Sequence, residues 1–567
     1  MHSELMTNAS NLGYNILEGS APVLGIRGLY SVFKKTAVFV LYMFVCVCSY
    51  ACARVEPELN KLTLQINAME GTLDPAGGAA GTFANFAPLC VDPLISFNDK
   101  GEIVYEAAES YDVNDEQTVW TFYLRENGMW SDGSPVLAED FINTIHRALL
   151  PGSSSYYTSE LYVLEGAKEA RDNDASAAAL AAVGAKALDS RTLQFTMPSP
   201  CPYFLKLLSL PVYSPSKAGA ATAENPNWYM EPETHPGNGA FHMTRYVQDE
   251  IIVMDKNPYY HQADKVELET IELLVISDDM AAVAAYETGE VDTASGLLDT
   301  VITQYEGKPD LYYWNMQSSM FMQISLNNAP VMRDPRVRRA FALGIQREDL
   351  CTVVGRDIQP SYSYVAKAML SNSSNQKFSE ERPQLFTEDI ELARALLAEA
   401  GYPGGAGFPE LSYKYPNSGN NSDVAIALQA QLKDNLGISI KLEGMEMGVY
   451  FAARRSGDYE LIRNSWTADY SDPVNYLAQF VSDGGFASAA GISNSLYDEL
   501  VERSNTETDP HKRNELLHEA EYELIADQFY LIPLYAQVYV GLRNPNISGI
   551  EKNDRDESLF RFANIEK

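Results

Sequence analysis

The sequence predicts an α/β fold divided into more than one lobe, and three observations support this prediction. The chain has 567 residues, whereas one domain usually contains about 100–200 residues. Segments with strand-like alternation and segments with helical spacing follow one another along the chain. Helices end at glycines that precede strands, as at Gly437 between Asp423–Leu436 and Ile438–Leu442. This succession is typical of layered α/β structure.

The elements behind this prediction follow in chain order. Lys61–Ile66 alternates polar and apolar residues, as a half-buried strand does. The spacing of apolar residues predicts further helices, over Glu139–Leu150, Asp334–Leu350 and Glu391–Ala400. Prolines are dense in Pro215–Gly239, which we interpret as a crossing between lobes.

The composition excludes nucleic acid as a partner. The chain has 77 acidic and 42 basic residues, with a net charge of −35, whereas nucleic-acid binding requires a basic surface. There is no polybasic stretch that could hold an anionic membrane. The 34 tyrosines suit wet, amphipathic pockets, although most of them have to occupy ordinary core and surface positions.

The sequence contains no recognisable catalytic or metal-binding motif. Seven histidines are spread without ligand spacing, and there is no HExxH, paired CxxC or phosphate-binding loop. Ser214–Lys217 has the SxxK spacing of penicillin-recognising enzymes, but Pro215 disfavours the helix that such a site needs. We therefore predict no metal, no cofactor and no enzymatic activity.

The N-terminal segment predicts export and a lipid anchor. Arg27, Lys34 and Lys35 precede an apolar run that ends before Cys52. This run is shorter than the about 20 residues of a spanning helix, and the order of features is that of a signal peptide. We expect residues 1–51 to be a leader with a lipoprotein signal peptide, Cys52 to be lipidated, and 52–60 to be a tether. Cleavage without lipidation and a retained membrane anchor remain alternatives.

Cysteine pairing is not the basis of this fold. Four cysteines remain after the predicted cleavage, at Cys52, Cys90, Cys201 and Cys351. If Cys52 carries lipid, the other three allow one disulfide at most, and the sequence does not indicate which.

Residues 118–147 resemble the signature of the family 5 extracellular solute-binding proteins, the peptide- and nickel-binding subunits of ABC importers. Trp120–Arg125 matches W-x-F-x-L-R, and Trp130–Pro135 matches W-S-D-G-x-P. Further landmarks occur in the order of the family, at Asn238–Phe241, Lys256–Tyr260, Gly289–Asp292, Asp334–Ala340 and Pro533–Tyr535. The resemblance therefore covers nearly the whole chain after Cys52.

The resemblance implies a fold like that of the type II periplasmic binding proteins, with two main lobes, an extra lobe, a hinge and a ligand cleft. Lobe I would comprise 60–96, 226–318 and 533–567, lobe II 97–225, and lobe III 319–532. The implied function is the capture of short peptides outside the cytoplasmic membrane, in the periplasm or cell envelope. A monomer would deliver them to the permease subunits of an ABC importer.

The resemblance also implies a peptide site built around residues 463–470. Asp469 would bind the α-ammonium of the peptide, and Arg463 and Arg454 would lie near its carboxylate end. The remaining implied contacts are a pocket wall at Trp466, a ligand-touching tyrosine at Tyr157, and main-chain hydrogen bonds from a segment that includes Ser465 and Thr467. The alternatives are a turn cap for Asp469, surface ion pairs for the arginines, and core burial for Trp466.

Two positions depart from the relatives. Asn421 stands where they carry a histidine that helps to capture the carboxylate of tripeptides, and Met447 stands where they carry a pocket tryptophan. These residues leave the ammonium end intact and alter the opposite end, so the preferred peptide length is expected to differ.

Other functions remain open. The same fold could bind a dipeptide, a nickel chelate, haem or glutathione, although the scarcity of histidine weighs against nickel and haem. A hydrolase is a second alternative, without a complete catalytic constellation to support it. A surface adhesin or signalling receptor built on this fold would leave no trace in the sequence.

Overall fold

The computed structural model describes residues 60–566, except 79–80, 154, 223, 316, 355–357 and 375. The predicted leader 1–51, the lipidation site Cys52 and most of the tether lie outside the described residues. None of the described helices is both long and apolar enough to cross a membrane. Cys90, Cys201 and Cys351 are buried and unpaired.

The strands of the described residues form several separate sheets. In chain order they are β1 (Lys61–Ile66), β2 (Ile95–Phe97), β3 (Ile103–Tyr105), β4 (Ala108–Val113), β5 (Val119–Leu124), β6 (Ala185–Ala187), β7 (Thr192–Thr196), β8 (Phe241–Val247), β9 (Ile251–Lys256), β10 (Thr270–Val275), β11 (Thr293–Ala294), β12 (Leu311–Trp314), β13 (Ser318–Ile324), β14 (Ile358–Pro360), β15 (Leu411–Pro416), β16 (Ile440–Met445), β17 (Leu461–Thr467), β18 (Leu531–Gln537), β19 (Tyr539–Arg543), β20 (Ile547–Ser548), β21 (Glu551–Lys552), β22 (Ser558–Leu559) and β23 (Asn564–Ile565).

The helices lie between these strands. The α-helices are α1 (Thr82–Cys90), α2 (Ala138–Leu149), α3 (Ala167–Asp172), α4 (Ala177–Ala181), α5 (Phe204–Leu207), α6 (Asp279–Thr288), α7 (Asp299–Tyr305), α8 (Pro335–Gly344), α9 (Arg347–Val354), α10 (Ile390–Glu399), α11 (Asn421–Gln431), α12 (Met447–Ser456), α13 (Val474–Leu477), α14 (Gly485–Ala490), α15 (Ser495–Ser504) and α16 (Pro510–Tyr522). Short 3-10 turns include Thr158–Val163, and π turns follow α11 and α16 at Leu432–Leu436 and Glu523–Asp527.

Two four-stranded sheets occupy the first half of the chain. One has the order β1-β10-β9-β8, with β1 parallel to β10, and its core is shared by segments 62–91, 240–273 and 547–563. The other has the order β4-β5-β7-β6 and is entirely antiparallel. Helix α2 packs against this second sheet. The strand predicted at Lys61–Ile66 and the helix predicted at Glu139–Leu150 are thus confirmed, the helix to within one residue.

A six-stranded sheet with the order β14-β18-β13-β17-β15-β16 dominates the second half. Strands β17, β15 and β16 are parallel to one another, and β13 is antiparallel to β17. Helix α11 packs on β15 and β16, and α12 packs on β15. The last segment of the predicted lobe I starts at residue 533, which lies inside strand β18. This strand pairs with β13 in the six-stranded sheet. The lobe boundaries stay a prediction.

The single helix predicted over Asp334–Leu350 is wrong, because the structure has two helices there, α8 and α9. Ile345 is extended between them, and Gly344 lies so close to Leu436 that a Cβ would come within 2.9 Å of its side chain. Side chains from the α11 region bind the main-chain groups freed by the break. Asn435 donates to the carbonyl of Gly344 over 2.8 Å, and Gln431 both accepts from and donates to the main chain of Gln346. The apolar periodicity continues across this break, and partners that are distant in sequence help to stabilise it.

The predicted helix–glycine–strand succession around Gly437 is confirmed, with shifted bounds. Helix α11 begins two residues earlier than predicted and changes to a π turn at Leu432. Gly437 ends this turn in the left-handed region at φ 74°. Strand β16 begins at Ile440, two residues later than predicted.

Replacement of Gly437 by alanine is expected to lower the free energy of unfolding by about 2 kcal/mol or more, since the left-handed backbone and a backbone clash both oppose a side chain there. A Cβ at Gly437 would overlap the carbonyl oxygen of Gly404. The measurement is Tm by calorimetry. The matched control is Gly404→Ala, because Gly404 also has a positive φ of 57° but has nothing within 4 Å of its Cβ position. Equal losses of Tm in the two variants would show that the overlap with the Gly404 carbonyl does not add to the destabilisation.

Candidate ligand site beside strand β17

Strand β17 has one edge without a complete strand partner. It pairs with β13 along its whole length, but it pairs with β15 only through Leu461 and Ile462. Strand β15 ends at Pro416, which has no N–H to donate to a neighbouring strand. Among the described residues, segment 463–467 therefore presents an open edge. Such an edge can hold an extended chain by main-chain hydrogen bonds.

The parallel strands place several predicted site residues at one edge of the six-stranded sheet. Asn421 begins α11 after β15, Met447 begins α12 after β16, and Asp469 follows β17. The carboxyl ends of parallel strands point the same way, so the segments that follow them meet at the same edge. Tyr450 of α12 joins this region to the open edge, because its hydroxyl donates to the carbonyl of Arg463 over 2.7 Å.

Asp469 is half-buried and is held by groups from distant parts of the chain. Its carboxylate accepts a hydrogen bond of 2.9 Å from the hydroxyl of Tyr157, and its N–H donates to Asn475 over 3.2 Å. Arg555 donates to its main-chain carbonyl over 3.0 Å. Burial raises the pKa of Asp469, while the hydrogen bond from Tyr157 and the charge of Arg555 oppose this shift.

The turn before Pro473 does not depend on Asp469. The N–H of Val474 donates to the carboxylate of Asp472 over 2.9 Å, so Asp472 closes this turn. The carboxylate of Asp469 points instead to Tyr157, which is 8% exposed. Burial, followed by the charge of Asp469, raises the pKa of the Tyr157 hydroxyl, which keeps that hydroxyl protonated as a donor.

Arg555 is a component of this region that sequence reasoning missed. Its guanidinium donates to the carbonyl of Asp469 and pairs with Glu557 at 2.8 Å. Arg555 lies 86 residues after Asp469 in a loop near the end of the chain. No spacing or motif connects the two positions, so no sequence pattern indicates their contact.

Trp466 forms part of the wall beside Asp469. Its indole N–H donates to the side-chain oxygen of Asn475 over 2.8 Å, and the same oxygen accepts from the N–H of Asp469. The ring packs edge-to-face on Phe486 with centroids 5.6 Å apart. Trp466 is half-buried, so one part of the ring belongs to the core and another part faces outward.

Arg463 and Arg454 lie near the start of the open edge and have no carboxylate partner among the described residues. Arg463 donates to Ser465 over 2.9 Å and to the sulfur of Met320, and its buried Nε has no acceptor in the described part of the chain. Arg454 donates to the side chain of Asn464 over 3.1 Å. The alternative of surface ion pairs therefore finds no support for either arginine.

Thr467 borders the open edge of β17, and so do Asn421 and Met447, the two positions that depart from the relatives. Thr467 is exposed at the end of β17. Met447 is 39% exposed. Asn421 is 9% exposed, donates to the carbonyl of Ser418, and has a buried Oδ1 without a partner among the described residues.

The comparison with known proteins identifies the family. Residues 102–488 match the model of the bacterial extracellular solute-binding proteins, family 5 Middle. The chain belongs to this family. The periplasmic oligopeptide-binding protein OppA of Escherichia coli is 30% identical over 469 residues, which cover 80% of this chain and 82% of the relative. The probable deoxycholate-binding periplasmic protein YgiS of the same organism is 30% identical over 500 residues, which cover 86% and 90%.

A solved structure confirms the fold of this solute-binding protein. A periplasmic oligopeptide-binding protein, OppAIV of Borrelia burgdorferi, superimposes with a TM-score of 0.74 at 28% identity. The match covers 89% of this chain and 100% of that one. The predicted type II periplasmic-binding-protein fold is thus confirmed, and so is the predicted family.

One cluster in this solute-binding protein brings potential metal ligands together. Oxygen and nitrogen atoms of Asp92, Glu106 and His261 lie within 4.8 Å of one another. Arg561 pairs with Glu106 at 2.7 Å, and the charges of Arg125 and Arg561 act on Asp92. Because two arginines already balance two carboxylates, a divalent ion would leave excess positive charge. We interpret the cluster as an internal ion-pair network.

Asp472, three residues after Asp469, forms a buried ion pair with Arg513 that stabilises the region. The two side chains are joined by hydrogen bonds of 2.8 and 2.9 Å, and they are 1% and 2% exposed. Both partners are buried with well-satisfied geometry, so the loss of either one leaves a buried charge without compensation.

Asp472→Ala is expected to lower the free energy of unfolding by about 3–5 kcal/mol, because Arg513 stays buried without its partner. The measurement is Tm by calorimetry. Asp172→Ala is the control, since Asp172 and Lys168 form an ion pair at the surface with side chains 58% and 61% exposed. Tm is expected to stay unchanged in the control, and an equally small effect of Asp472→Ala would contradict the role of the buried pair.

Proposed function

We propose that this solute-binding protein captures short peptides outside the cytoplasmic membrane and delivers them to an ABC importer. The observation that carries the proposal is the separation of charges along the open edge of β17. Asp469 lies beyond one end of this edge, and two arginines without acidic partners among the described residues, Arg463 and Arg454, lie toward the other. An extended peptide has the complementary arrangement, with an ammonium at one end and a carboxylate at the other.

The open edge explains how varied peptide sequences can bind. Segment 463–467 can form main-chain hydrogen bonds with any extended peptide, whatever its side chains. The N–H of Ser465 already donates to Asn464 over 2.8 Å, so the Ser465 carbonyl and the main chain of Thr467 supply such groups, and Trp466 forms one wall. Two relatives are named for oligopeptide binding, which supports a peptide as the ligand.

The spacing of the charged residues indicates the length of the ligand. Asp469 lies six positions after Arg463, at most about 20 Å along an extended chain. The side chains at both ends shorten this span. A peptide of about three to five residues, roughly 10–18 Å when extended, fits between them. Asn421 and Met447 border the site at the sheet edge, and we propose that they adjust this length.

The proposal also includes closure of the lobes around the ligand and a lipid anchor at the membrane. The ligand would be enclosed between the lobes by hinge closure, which requires tighter binding to the closed form. Lipidation at Cys52 would hold the monomer at the membrane, after removal of the signal peptide. The protein would release its ligand unchanged, as expected of a carrier rather than an enzyme.

The relative named for deoxycholate provides a specific alternative. Deoxycholate has a carboxylate that Arg463 or Arg454 could bind, but it has no cation for Asp469. Binding it would leave the half-buried carboxylate of Asp469 without a cationic partner, which costs free energy. The charges of the site therefore favour a ligand with both an ammonium and a carboxylate.

Protein purified without denaturation is expected to release peptides of about three to five residues and mixed sequence on unfolding. The measurement is mass spectrometry of the released small molecules from residues 53–567. A steroid, metal chelate or haem in place of peptides would contradict the proposal. Cleaved products of an added peptide would contradict the assignment as a carrier.

Asp469→Asn is expected to weaken tetra-alanine binding at least tenfold, since a hydrogen bond between charged groups contributes about 1.5–3 kcal/mol. Calorimetric titration measures the loss. The affinity of the wild type is expected to fall as pH falls through the raised pKa of Asp469, because the protonated carboxyl no longer attracts the ammonium. Asp423→Asn is the control, since Asp423 is exposed in the first turn of α11. Unchanged affinity in Asp469→Asn would refute its role.

A further inference from the structure

A cavity of about 320 Å³ lies between strands β1, β11 and β12, helix α1 and the segment around β22 near the end of the chain. Pockets of this volume are large enough to hold a small ligand or a large side chain. Residues 463–470 do not line it. The cavity is therefore a feature separate from the open edge of β17.

One arginine joins this cavity to the proposed ammonium site. Glu557 lines the cavity and pairs with one guanidinium nitrogen of Arg555 at 2.8 Å. The other terminal nitrogen of Arg555 donates to the carbonyl of Asp469 over 3.0 Å. A single guanidinium thus lies between the cavity wall and the main chain of Asp469.

The wall formed by β12 is close to the same segment. Trp314 lines the cavity and comes three residues before Gln317, at most about 10 Å along the chain. The carbonyl of Gln317 accepts a hydrogen bond of 2.8 Å from the N–H of Ala468. Two walls of the cavity are therefore connected to residues 468–469, which places the cavity beside the ammonium end of the site.

Aromatic rings form a stack along the β12 wall. Tyr312 and Trp314 stack with centroids 5.0 Å apart at an angle of 13°, and Trp314 stacks on Tyr539 at 5.3 Å and 28°. Arg543 lies over the ring of Tyr312, 4.6 Å from its centroid. Because these neighbours cover the ring faces, Tyr312 and Trp314 meet the cavity with their edges. Ring edges are positively polarised and attract the negative face of another ring.

Three polar groups on the other walls are already engaged within the protein. The side chain of Gln65 accepts from the N–H and the hydroxyl of Ser295, and the hydroxyl of Thr293 accepts from the N–H of Gln65. Glu557 is held by Arg555. The apolar lining residues are Leu64, Pro88, Leu89, Leu559 and Phe560. A charged group entering the cavity would lose water without gaining these partners, whereas an apolar ring would not.

We propose that this cavity takes an aromatic side chain from the first or second residue of the bound peptide. The inference rests on the proposed peptide-binding function and deepens it. Successive side chains of an extended peptide point to opposite sides, so only one of the first two residues places its side chain there. The face of the ligand ring meets the edges of Tyr312 and Trp314, an arrangement that aromatic pairs prefer.

Calorimetric titration with matched tetrapeptides tests the inference. Phe-Ala-Ala-Ala and Ala-Phe-Ala-Ala are compared with tetra-alanine, and one of the two is expected to bind about tenfold more tightly, because its ring leaves water. Cyclohexylalanine at the same position has similar bulk without the aromatic ring, and it is expected to bind about threefold more weakly than phenylalanine. Ala-Ala-Ala-Phe is expected to bind less tightly than the preferred peptide, because its ring lies at the other end.

Two variants locate the effect in the cavity. Ala84→Trp fills the cavity from an exposed position of α1, without a change in the core. It is expected to lose the preference for phenylalanine and keep its affinity for tetra-alanine. Trp314→Leu is expected to bind the phenylalanine and cyclohexylalanine peptides equally. Ala178→Trp is the control, because Ala178 is an exposed alanine of α4 that does not line the cavity, and it is expected to behave as the wild type.

Equal affinities of the wild type for tetra-alanine and both phenylalanine peptides would overturn the inference and leave the proposed function intact, since peptides still bind. Equal affinities for phenylalanine and cyclohexylalanine, or a phenylalanine preference that survives in Ala84→Trp, would overturn it in the same way. The strongest binding by Ala-Ala-Ala-Phe would also overturn it. Binding of no peptide would overturn the proposed function itself, and the inference with it.

Discussion

The carboxylate of Asp469 is the feature on which the candidate site depends. It lies where three segments that are far apart in sequence meet, because Tyr157 donates to its side chain and Arg555 donates to its main chain. The hydrogen bond from Tyr157 orients one carboxylate oxygen, and burial makes any further hydrogen bond from a cation stronger than it would be in water. The site is therefore prepared for a positive charge before a ligand arrives.

The open edge of β17 has an equally simple cause. Strand β15 runs parallel to β17 for two residue pairs and then ends at Pro416, which cannot donate a hydrogen bond. The chain then turns away into α11, and β16 leads in the same way into α12. The gap beside β17 thus results from the way in which the parallel strands end, at the sheet edge where ligands of open α/β sheets generally bind.

Charge balance connects these two features. The buried acid Asp472 has an arginine partner, Arg513. By contrast, Arg463 and Arg454 at the proposed site have no acidic partner among the described residues. Buried charges without partners are expensive in a folded protein. Their presence on one cleft wall is understandable if a ligand supplies the missing charges.

The sequence by itself determined the fold class, the family and several elements, because these depend on local patterns. Lys61–Ile66 forms the predicted strand, and Gly437 ends the predicted helix region, since alternation and a left-handed glycine act within a few residues. Only the tertiary structure decided the break at Ile345, where Asn435 and Gln431 bind the freed main-chain groups. It alone placed Arg555 against Asp469. Contacts between residues so far apart depend on how the lobes pack, and no local pattern records that packing.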